Sequence, residues 1–530
     1  MYFPTGLAVS PGGGVLYVAN SNFDLQYDGG TLQAYDLGRL RNVAKEVADT
    51  FTAPCETVRY GTALRFVRFG ASCAAPAPVF WRNARTIGAF ATDLQVSPFG
   101  FLGQGIPSRR LFMPVRGNAS ITWVDVPDDG AGAPAEQTFG LRCGSASEVT
   151  GITSRGGTCD DGHQAGRNPD ELGNSRKITL PGEPFGMAFS EDGESLVVTH
   201  QTVEQTSLLS TGYIKGQSTG PIAAPYLDFI LDGVVNGGIG VTAIPHDAQA
   251  FPGPGSGTPP RPAFLQSSRL APELTLLRNY PDGRVSADTS SLLRPFLVKE
   301  TTFPVNANAN GTDSRGVLID PTPRIVCKAA VKPANPSAKP PRTAADVAND
   351  IALCARTPAR LFLANRSPAS LVIGEVGEET TFVDGNYDAD KVRVFESIPL
   401  SAGPSKLYLA PIVDRDGALA LRLFIVCFDA ATIFVYDPEL RVIENVIRTE
   451  LGPFAMAFDP FNLQDAALHA KVADRTFDGV TQHTFRYGYV ADFTNSVVQV
   501  IDLDNGRPGT TTFERILMSL GEPTQPKGTN

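Results

Sequence analysis

The stretch "RYGYVADFTNSVVQVIDLD", residues 486–504, decides the fold. It opens on alternating apolar residues, passes through the turn Phe493-Thr494-Asn495-Ser496, and resumes alternation as far as Asp502. Period-2 alternation on both sides of a short polar break reads as two antiparallel strands joined by a turn. Tyr489 and Asp502 are 13 residues apart, and the same spacing recurs from Phe112 to Asp125, Phe424 to Asp437 and Phe362 to Glu375. Val197 to Ser210 keeps the spacing without the acid. Phe264 to Arg278 is one residue longer, and Tyr17 to Asp36 is six longer through an insertion around "FDLQYD". The unit is therefore present seven times.

A second signature precedes most copies: "PTGLAVSPGG" (4–13), "ATDLQVSPFG" (91–100), "PFGMAFSEDG" (184–193), "SRGVLIDPTP" (314–323), "PSKLYLAPIV" (404–413) and "PFAMAFDPFN" (453–462). The fourth copy is degenerate, with "GGIGVTAIPH" (237–246) in its place. Small residues alternating with apolar ones suit an innermost strand, where strands crowd toward an axis. Outer strands are expected at "RKITL" (176–180), "VRVFESIPL" (392–400), "NVIRTEL" (445–451) and "FERILMSL" (513–520). Four strands in each of seven units describe an all-β, seven-bladed β-propeller. The expected blades are 1–90, 91–182, 183–236, 237–312, 313–401, 402–451 and 452–522, in a single domain with a tail at 523–530.

Tyr17-Val18-Ala19-Asn20 and Tyr489-Val490-Ala491-Asp492, each with the small-residue strand before it and the apolar run to Asp after it, resemble the YVTN-type propeller repeat. The resemblance covers nearly the whole chain and implies the propeller fold. It is almost silent on function, because such propellers serve as binding modules, envelope scaffolds and some enzymes. The last unit has its own outer strand by Leu520. All seven blades are therefore expected to close without exchanging strands, with the termini meeting between the first and last. An upstream segment would then be a tether or signal.

Extra residues fall in five places. With strands a to d running outward from the axis, 41–84 and 127–175 follow strand c of blades 1 and 2. Segments 245–261, 322–359 and 463–485 follow strand a of blades 4, 5 and 7. Both kinds of link open on the same face, so one decorated face is expected. Long loops in a compact domain usually carry function. Six of the seven cysteines form local couples within these loops: Cys55 with Cys73, Cys143 with Cys159, and Cys327 with Cys354. No two are spaced as CxxC, so zinc and redox motifs are absent. Disulfides are the expected reading, and they imply an oxidising compartment. Cys427 lies in an apolar strand and is expected to be a buried free thiol.

The net charge of −10 excludes nucleic acid as a general partner. No apolar run reaches the length of a membrane span. GxSxG, P-loop and Rossmann patterns are missing. Asn118, Asn310 and Asn365 begin N-x-S/T sequons. Asp384, Asn386, Asp388 and Asp390 in "VDGNYDADKV" alternate as calcium ligands do, although Ala389 and Phe395 depart from the EF-hand pattern. A solvated turn is the leading reading there; no cofactor is expected, with calcium the one alternative. His163, His246, His469 and His483 lie in or beside the insertions without metal-ligand spacing. Asn20, His200, Asn365 and Asp492 end strand b of four different blades and are the candidates for polar residues at the channel mouth.

The expected function is non-enzymatic: a secreted or periplasmic scaffold of a cell envelope, whose place is periplasmic, outer-membrane-associated or extracellular, with a lipid anchor upstream as one means of tethering. It would bind a protein or glycan on the face made by the a–b and c–d loops. The alternative is a lactonase- or hydrolase-like enzyme, or a small-ligand or glycan-binding propeller.

Overall fold

A computed structural model describes residues 1–49, 67–69, 72–103, 105–132, 138–144, 157–216, 222–234, 236–250, 261–281, 294–305, 313–337, 339–381, 387–507 and 512–521. Among the described residues seven blade sheets follow one another along the chain, each with four antiparallel strands laid out in chain order. Blade 1 consists of Pro4–Val9, Val15–Asn20, Gly30–Asp36 and Trp81–Ile87. Blade 3 (Pro184–Phe189, Ser195–His200, Gln205–Ser210, Tyr226–Asp232) and blade 4 (Gly238–Ala243, Ala263–Ser268, Glu273–Tyr280, Phe296–Pro304) repeat the plan. So do blade 5 (Ser314–Asp320, Ala359–Arg366, Ala369–Thr381, Tyr387–Pro399) and blade 6 (Pro404–Val413, Leu419–Cys427, Thr432–Asp437, Val442–Arg448). Blade 7 has Pro453–Phe458, Tyr487–Asp492, Val497–Asp502 and Ile516–Leu520. The seven-bladed propeller is thus the observed architecture.

The inner strands are rich in glycine because neighbouring blades touch there. A Cβ on Gly240 would stand 2.2 Å from the carbonyl oxygen of Arg315 in the next blade, and one on Gly186 only 2.0 Å from that of Ile239. Any larger residue would push the inner strands apart. Farther out, apolar clusters fill the space between sheets. One of them joins Leu7, Leu16 and Val18 of blade 1 to Tyr489, Val500 and Met518 of blade 7.

Blade 2 departs from the expected strands. Its inner strand is only Gln95–Val96, and its outer strand is Gln164–Ala165, paired with Ile121 and Thr122. Residues 176–180 form no strand. The backbone pairing that defines this edge lies in a stretch without alternation, so periodicity pointed to the wrong segment.

Closure also differs from expectation. Blades 1 and 7 each have four strands of their own, but the blade 1 insertion crosses to blade 7. Its strand Ser72–Ala75 runs parallel to Ile516–Leu520, and Val67–Phe69 pairs with Ser72–Ala75, making a six-stranded sheet. The same insertion begins with helix α1 (Leu37–Asp49), whose Leu37, Leu40, Val43, Ala44 and Val47 are buried in the blade 1–blade 7 cluster. The N-terminus also meets blade 7, where the Phe3 amide donates to Ser496 Oγ at 3.1 Å.

Among the described residues the other α-helices are α2 (Thr322–Ala329) and α3 (Ala344–Ala355) in the blade 5 insertion and α4 (Leu463–Ala467) in that of blade 7. Disulfides Cys143–Cys159 and Cys327–Cys354 close the blade 2 and blade 5 insertions. Cys55, the expected partner of Cys73, lies outside the described residues. Cys427 is buried and free, and burial pushes its thiol up to about 12. Among the described residues no helix is long and apolar enough to cross a membrane.

Candidate functional site: the axial cavity and the two faces

Each strand b ends beside the first residue of its strand a, and this register places the four polar candidates. Asn20 pairs with Pro4, His200 with Pro184, Asn365 with Ser314 and Asp492 with Pro453. The positions are equivalent, and all four side chains are buried within their blades. Asn20 accepts from the Tyr2 amide at 3.0 Å and donates to Thr31 and Gln33. Asn365 donates to the Pro368 carbonyl at 2.9 Å. His200 has a ring nitrogen 2.9 Å from the Gly182 carbonyl and the other 2.9 Å from the Ser207 hydroxyl. Burial lowers its pKa to about 4, so the ring is neutral. Asp492 differs, since neither carboxyl oxygen meets a hydrogen-bond donor. Burial first, and then the charge of Glu450, raises it well above the carboxylate range. The four do not converge at the channel. They are spread around the ring and absorbed into blade structure.

The channel itself is polar through other residues. Where the inner strands begin, on the face of the b–c and d–a links, they enclose a cavity of about 410 Å³. Its walls include Phe185, Met187, Val317, Tyr408, Phe428, Phe454 and Met456. Into it project Asp93 of blade 2 and Lys406 of blade 6, paired at 3.0 Å. The Lys406 ammonium also lies 4.9 Å from the Phe454 ring centroid. Burial works to lower the Lys406 pKa, but the Asp93 carboxylate outweighs it and holds the ammonium above the ordinary lysine value. Two further cations line the cavity, each with its own acid: Arg315 with Asp313 at 2.5 Å and Arg366 with Asp429 at 2.6 Å. The site is therefore polar yet balanced in charge. Sequence reading missed it: Asp93 and Lys406 both stand at the third position of the inner-strand signature, where most other copies carry glycine or alanine, but they are 313 residues apart and nothing local pairs them.

On the opposite face the insertions are tied down by buried charges. Asp390 accepts from Arg278 at 2.7 Å and lies 2.8 Å from His246 Nε2, while His246 Nδ1 is 3.4 Å from Glu191. Burial alone would lower the His246 pKa, but hydrogen bonds to Asp390 and Glu191 raise it to about 9. Burial would raise Asp390, yet the His246 and Arg278 contacts bring it below its usual value. Both oxygens of Asp390 are thus engaged by cations, which is not how a free calcium ligand stands. Asp384 and Asn386 lie outside the described residues, and Asp388 is described only as a strand position. The other histidines each face a different acid: His163 with Asp160, His469 with Glu439 and His483 with Asp474. Among the described residues no three His, Cys, Asp or Glu side chains are grouped so as to hold a metal ion.

The blade 5 insertion stands out on this face. Of α3, only Cys354 and Ala355 are buried, although the helix carries Val347, Ile351 and Leu353. Leu353 is 69% exposed, and Val326 on α2 is 45% exposed.

No family model matches the chain, and no curated protein matches it in sequence. Among solved structures it is similar to the periplasmic gluconolactonase PpgL of Pseudomonas aeruginosa, with 11% identity over 96% of this chain and 97% of that one, at a TM-score of 0.44. Kuenenia stuttgartiensis hydrazine synthase gives 9% identity over 95% and 96% of the two chains, at 0.41. A Bacteroides uniformis protein with the provisional name 6-phosphogluconolactonase gives 11% identity over 85% and 87%, at 0.39. At this level of likeness no activity or residue role passes to this chain.

Proposed function

We propose that the chain is a non-enzymatic binding propeller of an oxidising compartment, a periplasmic or outer-membrane-associated scaffold that docks a protein partner on its insertion-bearing face through α2 and α3. The observation that carries this reading is the exposure of α3. An isolated helix of this length is marginal in water. Here it is held by the Cys327–Cys354 disulfide and by a capping box, in which the Asp346 amide donates to Thr343 Oγ and the Thr343 amide donates to Asp346. A helix fixed in place while Leu353 faces solvent, with Val347 and Ile351 half-buried, has lost its conformational freedom before any partner arrives, which reduces the cost of binding. The disulfides support the compartment. Catalysis in the cavity is disfavoured by the pairing of Lys406 with Asp93, which leaves neither group as a free base.

The test is a photo-crosslinking residue placed at Leu353 and, as a control, at the exposed outer-strand residue Val298. Crosslinking would be carried out in intact envelopes of the native host. A single discrete product at 353, absent at 298 and lost in a Val326→Asp background, supports the reading. Equal labelling at the two positions would sink it.

A further inference from the structure

The cavity does not end at its own walls. Phe454 and Phe428 contact one another at 6.2 Å between ring centroids, and both contact Phe493, at 5.9 and 6.2 Å. Phe493 in turn lies 5.4 Å from Phe23, which is 53% exposed in the b–c turn of blade 1. Beside it Tyr27 is 62% exposed. A line of aromatic rings therefore leads from solvent at the rim down to the Lys406–Asp93 pair. All of it lies on the face that carries no long insertion.

We propose that this track binds the end of a neutral oligosaccharide, with its terminal ring in the cavity and the following rings along Phe493 and Phe23. The chemistry of the lining selects that class. The cavity, at about 410 Å³, falls within the range of small-molecule sites, roughly 300–1,000 Å³. Every cation in it already has an acid, so an anionic ligand would have to displace Asp93, Asp313 or Asp429. A purely apolar ligand would have to strip water from the Lys406–Asp93 pair and return no hydrogen bond, which is costly. A sugar hydroxyl both donates and accepts, so it can receive from the remaining Lys406 N–H groups and donate to Asp93. Gln201 adds an amide on the same wall. The C–H faces of the sugar ring would pack on Phe454, Phe428 and Tyr408. This site is separate from the α2–α3 face, and neither proposal depends on the other.

Calorimetry with cellotetraose, maltotetraose and chitotetraose, each beside its monosaccharide, tests the proposal on the full chain, with trigalacturonate as the anionic probe and decanoate as the apolar one. The expected result is saturable binding of at least one neutral tetrasaccharide, tighter than its monosaccharide. Lys406→Met should weaken both forms by about tenfold or more, as for loss of a hydrogen bond to a charged group. Phe23→Ser, at an exposed position that leaves the fold intact, should weaken the tetrasaccharide by about fivefold and leave the monosaccharide unchanged. Gln201→Leu is the second cavity variant should Lys406→Met fail to fold, and it should weaken both forms. The proposal is overturned if no neutral saccharide binds, if trigalacturonate or decanoate binds more tightly, or if Phe23→Ser and Gln201→Leu leave affinity unchanged.

Discussion

Arg41 in the first blade's insertion and Asp459 in the last blade form an ion pair in which both side chains are fully buried. Asp459 also accepts from the amides of Arg486 and Tyr487, at 3.0 and 2.8 Å, and from the Tyr489 hydroxyl at 2.9 Å. The Arg41 guanidinium packs 4.1 Å from the Phe477 ring centroid, and its neighbour Asn42 donates to the Phe477 carbonyl at 2.8 Å. The pair therefore sits where the ring of blades closes. Replacing one partner strands the other without a counter-charge, a loss of about 3–5 kcal/mol. Arg41→Met should lower the urea midpoint accordingly, while Arg41→Met with Asp459→Asn should lose less than the two single changes summed. Strict additivity in that cycle would mean the pair does not couple the blades.

His246 and His200 should give stability opposite slopes on the two sides of their common unfolded value of about 6.5. His246 is raised to about 9 in the fold, so its contribution is complete below 6.5 and is lost as pH climbs from there through 9. A shift of that size corresponds to about 3 kcal/mol. His200 is lowered to about 4, so it costs nothing above 6.5 and erodes stability as pH falls from 6.5 toward 4. Denaturation midpoints measured from pH 4 to 9.5 should show His246→Gln flattening the alkaline limb and His200→Asn flattening the acid one. A His246→Gln profile parallel to the parent above pH 7 would refute the assignment.

Asp492 invites replacement. Its carboxyl is buried without a donor, and burial first and then Glu450 raise its pKa, so the group costs stability increasingly as the pH rises above the ordinary aspartate value. Blades 1 and 5 carry asparagine at the same register position, as Asn20 and Asn365. Asp492→Asn should therefore raise the melting temperature at pH 7.5 and gain progressively less as pH falls toward 4. Destabilisation at pH 7.5 would show that the carboxyl has a partner in solution.

The Cys327–Cys354 bridge spans 27 residues, a loop for which the chain-entropy model gives about 3.5 kcal/mol. Because α3 buries so little, that effect should be local. The double change Cys327→Ser with Cys354→Ser should speed amide exchange over 344–355 while leaving the blade strands protected. Slowed or unchanged exchange in α3 would show that the helix holds without its clip.

What could be read from the chain and what could not divide by the range of the interaction. The aromatic-Val-Ala-Asn/Asp pattern and the small-residue inner strands exposed the blades, because alternation and steric crowding act within a few residues. Placing the insertions on one face followed from counting strands. The pairing of Leu520 with Ala75 left no local mark, since a parallel match between distant segments is selected by shape and backbone register. The four strand-end residues shared a position, but position could not say whether a side chain turned toward the channel or into its own sheet. Burial decided that, and the contacts of Asp390 with Arg278 and His246, 112 and 144 residues away, were equally invisible to local spacing.

The helix that closes the ring has a consequence for biosynthesis. Arg41 reaches the carbonyl of His483, which the ribosome adds 442 residues later. At roughly 5–20 residues per second, α1 must wait about 20 to 90 s for the surface that covers Leu40, Val43 and Val47. Through that interval its apolar side is bare, in a chain that is still being made or exported. Deletions that shorten the middle blades would reduce the delay without touching the helix, whereas a chain truncated before blade 7 would leave it permanently uncovered. Nascent-chain survival should therefore depend on holdase chaperones until the outer strand of blade 7, ending at Leu520, emerges, and far less afterwards.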